Sequence, residues 1–142
     1  MSVFVPFASN AEVAAIGHGL LARTLPKVQW THAAHFAAAL WLLEQDSAHL
    51  MPESIRAYNE ATGVANTDTT GYHQTITQAS LRAARTFRKQ HANLPLFAVC
   101  NALLASRLGK SDWLLAHWSR ELLFSAQARK IWVEPDLAPL PF

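Results

Sequence analysis

A single cysteine, Cys100, stands in 142 residues, so no intrachain disulfide can form and the chain suits a reducing compartment. Glycine is scarce at 5 residues, and charged side chains make up 15% against 51% hydrophobic. So little charge beside so much apolar surface excludes a disordered chain. The 12 Lys and Arg against 10 Asp and Glu leave a formal charge of +2, too small a field to predict nucleic-acid or membrane partners. The longest apolar run, Ala33 to Leu43 with His35 inside it, falls short of the roughly 20 residues that a bilayer crossing takes. The start, Met1-Ser2-Val3-Phe4-Val5-Pro6, lacks the basic region and sustained apolar core of a signal peptide. A cytoplasmic protein is the expectation. Ser119 and Ser125 have no Gly-x-Ser-x-Gly elbow around them, so serine hydrolase chemistry has no support.

What is present is an Ala- and Leu-rich pattern at helical spacing. It predicts one all-α domain over residues 1–142, a compact bundle of about six helices with an extended lead-in over 1–8 and a Pro-rich strap over 132–142. Asn10 is placed to cap a first helix carrying Val13, Ile16, Gly17, Leu20 and Leu21, which Thr24-Leu25-Pro26 ends. Thr31 caps a second, from His32 to about Gln45. It is apolar on nearly every side, which marks it as the central helix. A third begins near Met51-Pro52 and closes at Gly63. After the polar loop Val64–Gly71, the longest helix runs from Tyr72 to about His91, with Gln74, Gln78, Arg82, Arg85 and Lys89 on a polar face and His73, Ile76, Ala83, Ala84 and Phe87 towards the core. Leu96 to Leu108 follows, with Gly109 as its stop. Ser111 is then placed to cap a further helix carrying Trp113, Leu114, Leu115 and His117, which either continues or bends into Ser119 to Ile131. Leu137, Leu140 and Phe142 would anchor the strap.

Two imidazoles, His32 and His35, open the greasiest helix and share a face, because residues three apart do so. His73 sits on the core side of another helix start. If those ends are neighbours, the three imidazoles form a metal site with open positions, for zinc first and for iron, nickel or copper as alternatives. Zinc there would lower the pKa of bound water to about 7. Tyr58, Asn59 and Tyr72 are the candidate catalytic residues orienting a small-molecule substrate. Asn66, Thr67 and Asp68 are candidates for a pocket mouth. The expectation is a small metal-dependent enzyme of unassigned reaction. The alternative is a non-catalytic helical domain that binds a ligand or a protein partner, with structural histidines. A homo-oligomer is compatible with either, given five tryptophans and an apolar strap.

Glu44 lies nine residues beyond His35 and so on the opposite side of the helix, which removes it from the site. Cys100 reads as a small buried hydrophobe. Arg82, Arg85, Arg88 and Lys89 read as a solvated face, and Arg120 and Arg129 as surface partners of Glu121 and Glu134. His18, His49, His91 and His117 read as structural, with His49 the best spare ligand.

The segments Trp30-Thr31-His32-x-x-His35, Tyr58-Asn59, Gly63-Val64-x-Asn66-Thr67, Gly71-Tyr72-His73-x-Thr75-Ile76-Thr77 and Pro135-Asp136-Leu137-x-Pro139-Leu140 together resemble a group of short uncharacterised bacterial all-helical proteins, over residues 25 to 141. The resemblance implies a family and no activity. Its members carry an acidic residue after the His of the Gly-Tyr-His segment, where this chain has Gln74, and that weighs against a general base at the position.

Overall fold

The computed structural model describes residues 5–142. Seven α-helices and no strand occur among them: α1 (Asn10–Ala22), α2 (His32–Glu44), α3 (Met51–Ala61), α4 (Gln74–Gln90), α5 (Leu96–Ala105), α6 (Arg120–Leu123) and α7 (Ala126–Lys130). The fold is an all-α bundle, as the helical spacing predicts. Of the predicted lead-in, residues 1–4 lie outside the described residues. Phe7 is clasped to α5, its amide donating to Asn101 Oδ1 at 2.9 Å and its carbonyl accepting from Asn101 Nδ2 at 2.9 Å.

The bundle is built around α2, which packs against α1, α4 and α5. Its length is buried from Phe36 to Leu42, the consequence of a helix with no polar stripe to turn towards water. Thr31 caps it, accepting from the Ala34 amide at 3.2 Å. α3 carries Pro at its start and ends before Gly63, whose φ of +83° suits glycine. α4 is two-sided in the predicted sense. Thr75, Ala79, Ala83 and Ala84 are buried, while Arg82, Arg85 and Lys89 are exposed. Arg88 is tied bidentately to Glu44, with both N–O distances 3.0 Å.

Several boundaries differ from expectation. The cap of α1 is Ser9, not Asn10; Asn10 instead accepts from the Phe97 amide of α5 at 2.9 Å, serving a helix whose own N-cap, Pro95, makes no side-chain cap bond. α5 stops at Ala105, three residues before Leu108, and a 3-10 turn follows over Arg107–Gly109. The predicted helix beyond Ser111 is a 3-10 turn over Trp113–Ala116 and then the short α6 and α7. Ser119 and Ser125 cap these two, accepting from the amides of Leu122 and Ala128, and each cap restarts the backbone where one continuous helix would have run on.

The C-terminal strap lies over this broken segment. The amides of Leu137 and Ala138 donate to the His117 carbonyl, and Trp118 Nε1 donates to the Val133 carbonyl. Leu140 and Phe142 pack on the core, whereas Leu137 is 60% exposed and holds the strap through its amide, not its side chain. No helix among the described residues is long and apolar enough to cross a membrane.

Candidate histidine site

The opening turn of α2 brings His32 and His35 to the wall of one cavity of about 250 Å³. α2 supplies these two and Phe36, α4 supplies Ile76 and Ser80, and the segment between α5 and α6 supplies Ser111 and Trp113. Each imidazole is fixed by a main-chain carbonyl. His32 Nε2 donates to the Leu108 carbonyl, 76 residues away, at 2.8 Å, and His35 Nδ1 donates to the Thr31 carbonyl at 2.8 Å. A carbonyl only accepts, so those nitrogens carry the protons. A neutral ring in either place therefore keeps its lone pair at the other nitrogen, Nδ1 of His32 or Nε2 of His35.

His35 is held in this form. Burial pushes its pKa down to about 4, against the opposing effect of the Thr31 carbonyl and with a further lowering from His32. Trp30 stacks on its ring. The positive end of the α2 dipole adds to the cost of an imidazolium here. At neutral pH His35 is an acceptor, not a charge.

His73 has a different place from the one its sequence position suggests. α4 begins at Gln74 and not at Tyr72, so His73 is the N-cap, with extended backbone. Its Nδ1 accepts from the Ile76 amide at 3.2 Å and its Nε2 donates to the Leu123 carbonyl at 2.6 Å. Burial lowers its pKa, opposed by the Leu123 bond and assisted by Arg129. Both ring nitrogens are committed, so a centre in which His73 joins His32 and His35 as a ligand does not fit this arrangement. Among the described residues no group of three or more His, Cys, Asp or Glu side chains is placed to hold a metal ion. His49 is exposed.

The three candidate catalytic residues are all bonded into the fold. Tyr58 is fully buried and donates to the Leu25 carbonyl at 2.8 Å. Asn59 Nδ2 donates to Asn66 Oδ1 at 3.0 Å, and that oxygen also accepts from the Tyr72 amide at 3.0 Å. The Tyr72 hydroxyl donates to Gln74 Oε1, with the Arg56 guanidinium 4.2 Å above its ring. Asn66 thus ties α3 to the loop before α4, and Lys130–Asp68 closes that loop at 3.0 Å. Arg129 does not pair with Glu134; it donates to the Gly71 carbonyl at 2.9 Å. Cys100 is buried as expected, and burial pushes its thiol up to about 12.

Two further polar groups line the cavity, Ser80 and Ser111, neither of them among the site residues expected from the sequence. Ser80 was within reach, because it lies four residues after the core-facing Ile76 and shares its face. Ser111 was read only as a helix cap. No protein-family model matches this chain, and no curated protein or solved structure matches it either.

Proposed function

We propose that this chain is a helical small-molecule-binding protein, with the His32–His35 cavity as its site and a neutral ligand bearing O–H or N–H donors as its occupant. The observation that carries this reading is the pair of locked tautomers. Two imidazoles at one cavity each spend their N–H on a carbonyl and keep a lone pair, while the walls beside them are Phe36, Ile76, Trp113 and two serines. Small-molecule sites commonly combine an apolar enclosure with a few fixed polar groups. Unpaired acceptors at a cavity gain from a donor that arrives with the ligand.

The test compares phenol with toluene, which differ by the hydroxyl, by following tryptophan fluorescence and amide NMR shifts of the full chain. Phenol is expected to bind at least tenfold more tightly, with the largest shifts at His32, His35 and Ser80, and the preference is expected to collapse in His35→Phe. Equal binding of both, or a phenol preference untouched by His32→Ala and His35→Phe, would overturn the reading. Zinc titration runs beside it. One equivalent bound by the wild type, lost in His32→Ala and His35→Phe and retained in His73→Asn, would make a divalent ion and not a neutral donor the occupant of the pair.

A further inference from the structure

The histidine cavity has a neighbour. A groove of about 550 Å³ is walled by α1, the start of α2 and the end of α5, and His32 and Ser111 belong to the walls of both spaces. Its surface is apolar where the helices meet, with Ile16 from α1, Ala33 and Ala34 from α2, and Leu104 from α5. Val5 and Val28 also line it, 88% and 85% exposed. They are the two most exposed large apolar side chains among the described residues. Single exposed apolar side chains are ordinary on a protein surface, but two bordering one apolar groove mark a place where covering them is favourable.

Charge narrows what would cover it. Among the described residues that line either space, none is Asp, Glu, Lys or Arg. A carboxylate would meet the lone pair of the neutral His35 ring and find no Lys or Arg to pair with. An ammonium head would meet the positive end of α2. A hydroxyl satisfies the imidazoles without bringing a charge.

We infer that groove and cavity are one continuous site for a linear, uncharged amphiphile, an alkyl chain lying along Ile16, Ala34, Leu104 and Val28 with its terminal hydroxyl donating to the His32–His35 pair. This rests on the reading of the pair as a ligand acceptor and adds the class of ligand. His32 stands where the two spaces meet. The Leu108 carbonyl holds its ring there, so the donor end of the ligand is fixed while the chain is free to extend.

The experiment titrates the full chain with butanol, hexanol, octanol and decanol at pH 7, read by amide NMR shifts. Affinity is expected to rise about fourfold per added methylene as apolar surface is buried, with shifts spreading from His35 and Ser80 to Ile16, Val28 and Leu104 as the chain lengthens. Val28→Asp, a change at an exposed position, is expected to weaken decanol tenfold or more and leave butanol unchanged. Flat affinity from butanol to decanol, with shifts confined to the histidine cavity, would remove the groove and leave the proposed function standing. No shift at His32 or His35 with any of the alcohols would overturn both. Decanoate binding more tightly than decanol would overturn the uncharged class. Shifts at Ile16, Val28 and Leu104 that follow protein concentration alone would give the groove to a second copy of the chain and likewise overturn the inference.

Discussion

Trp30 lies against His35 with ring centroids 3.8 Å apart and planes 30° from parallel, and the same indole stands 5.4 Å from the ring of Tyr58. Trp30 is the residue just before the Thr31 cap, so the chain entering α2 folds an aromatic plate over the imidazole of its own first turn. The stack and the Thr31 carbonyl hold the His35 ring from two directions. Shielding from water favours the neutral ring and outweighs the Thr31 carbonyl, which by itself would favour the charged one.

A pH dependence of stability follows from His35. Its pKa falls from 6.5 in the unfolded chain to about 4 in the fold, so between those values the unfolded state binds more protons. Stability is therefore fully present above pH 6.5 and is lost as pH falls towards 4, by at most about 3 kcal/mol from this residue. His73, also lowered, acts in the same direction. Urea unfolding between pH 7 and pH 4 checks it: His35→Phe, which preserves an aromatic ring against Trp30, is expected to flatten the slope by close to one proton. A slope unchanged in that variant would contradict the burial of the ring.

Gly17 allows α1 to reach α2. A Cβ at that position would stand 2.1 Å from Trp41 Cε3, inside an indole that is itself buried. Alanine in mid-helix normally gains about 1 kcal/mol over glycine, yet Gly17→Ala is expected to destabilise by about 2 kcal/mol, because the indole must move within a packed core. Thermal and urea midpoints measure this directly. Retained or raised stability would show that Trp41 has room to turn.

How legible the chain was depends on where its structure is decided. α2 was readable because its determinants are local: Thr31 accepts from its own helix, and the run from Phe36 to Leu42 has no polar face to misplace. Gly63 closed α3 for an equally local reason, its positive φ. The segment after Ala105 was not readable, since its breaks come from contacts far along the chain. Ser119 caps α6 while its amide and hydroxyl donate to the Asp136 carboxylate, both at 2.7 Å, and Leu108 turns its carbonyl to His32. Two of the three histidines were legible on the same terms. His32 and His35 are paired by helix phase alone, whereas the role of His73 turned on a helix start two residues later than the apolar pattern suggested.

Thr75 is a hydroxyl inside the core with three bonds to one short stretch. It is fully buried; its hydrogen is shared between the carbonyls of Ala128 at 2.7 Å and Ile131 at 2.9 Å, and its oxygen accepts from the Val133 amide at 3.2 Å. Valine has nearly the same shape and none of these bonds. Thr75→Val is expected to cost about 2 kcal/mol, the penalty for buried main-chain groups left without partners. Amide hydrogen exchange should accelerate first at Val133. Unchanged protection there would mean that the Thr75 bonds do not hold α7 and the start of the strap in place.

His73 offers the sharpest separation between a structural imidazole and a binding one. Its two nitrogens join the start of α4 to the end of α6, one as the cap acceptor for the Ile76 amide and the other as donor to the Leu123 carbonyl. Asparagine caps helices through a side-chain oxygen but is too short to keep both bonds. His73→Asn is therefore expected to lose about 1 kcal/mol and His73→Ala about 2 kcal/mol, since the second variant strands the amide as well as the carbonyl. Neither should alter phenol affinity at the His32–His35 cavity by more than twofold. His32→Ala should do the reverse in proportion, weakening phenol tenfold with a smaller loss of stability, because its Leu108 bond is only partly buried. If His73→Asn and His32→Ala weakened phenol alike while stability held, His73 would belong to the binding group, and the cap geometry would have to give way on binding.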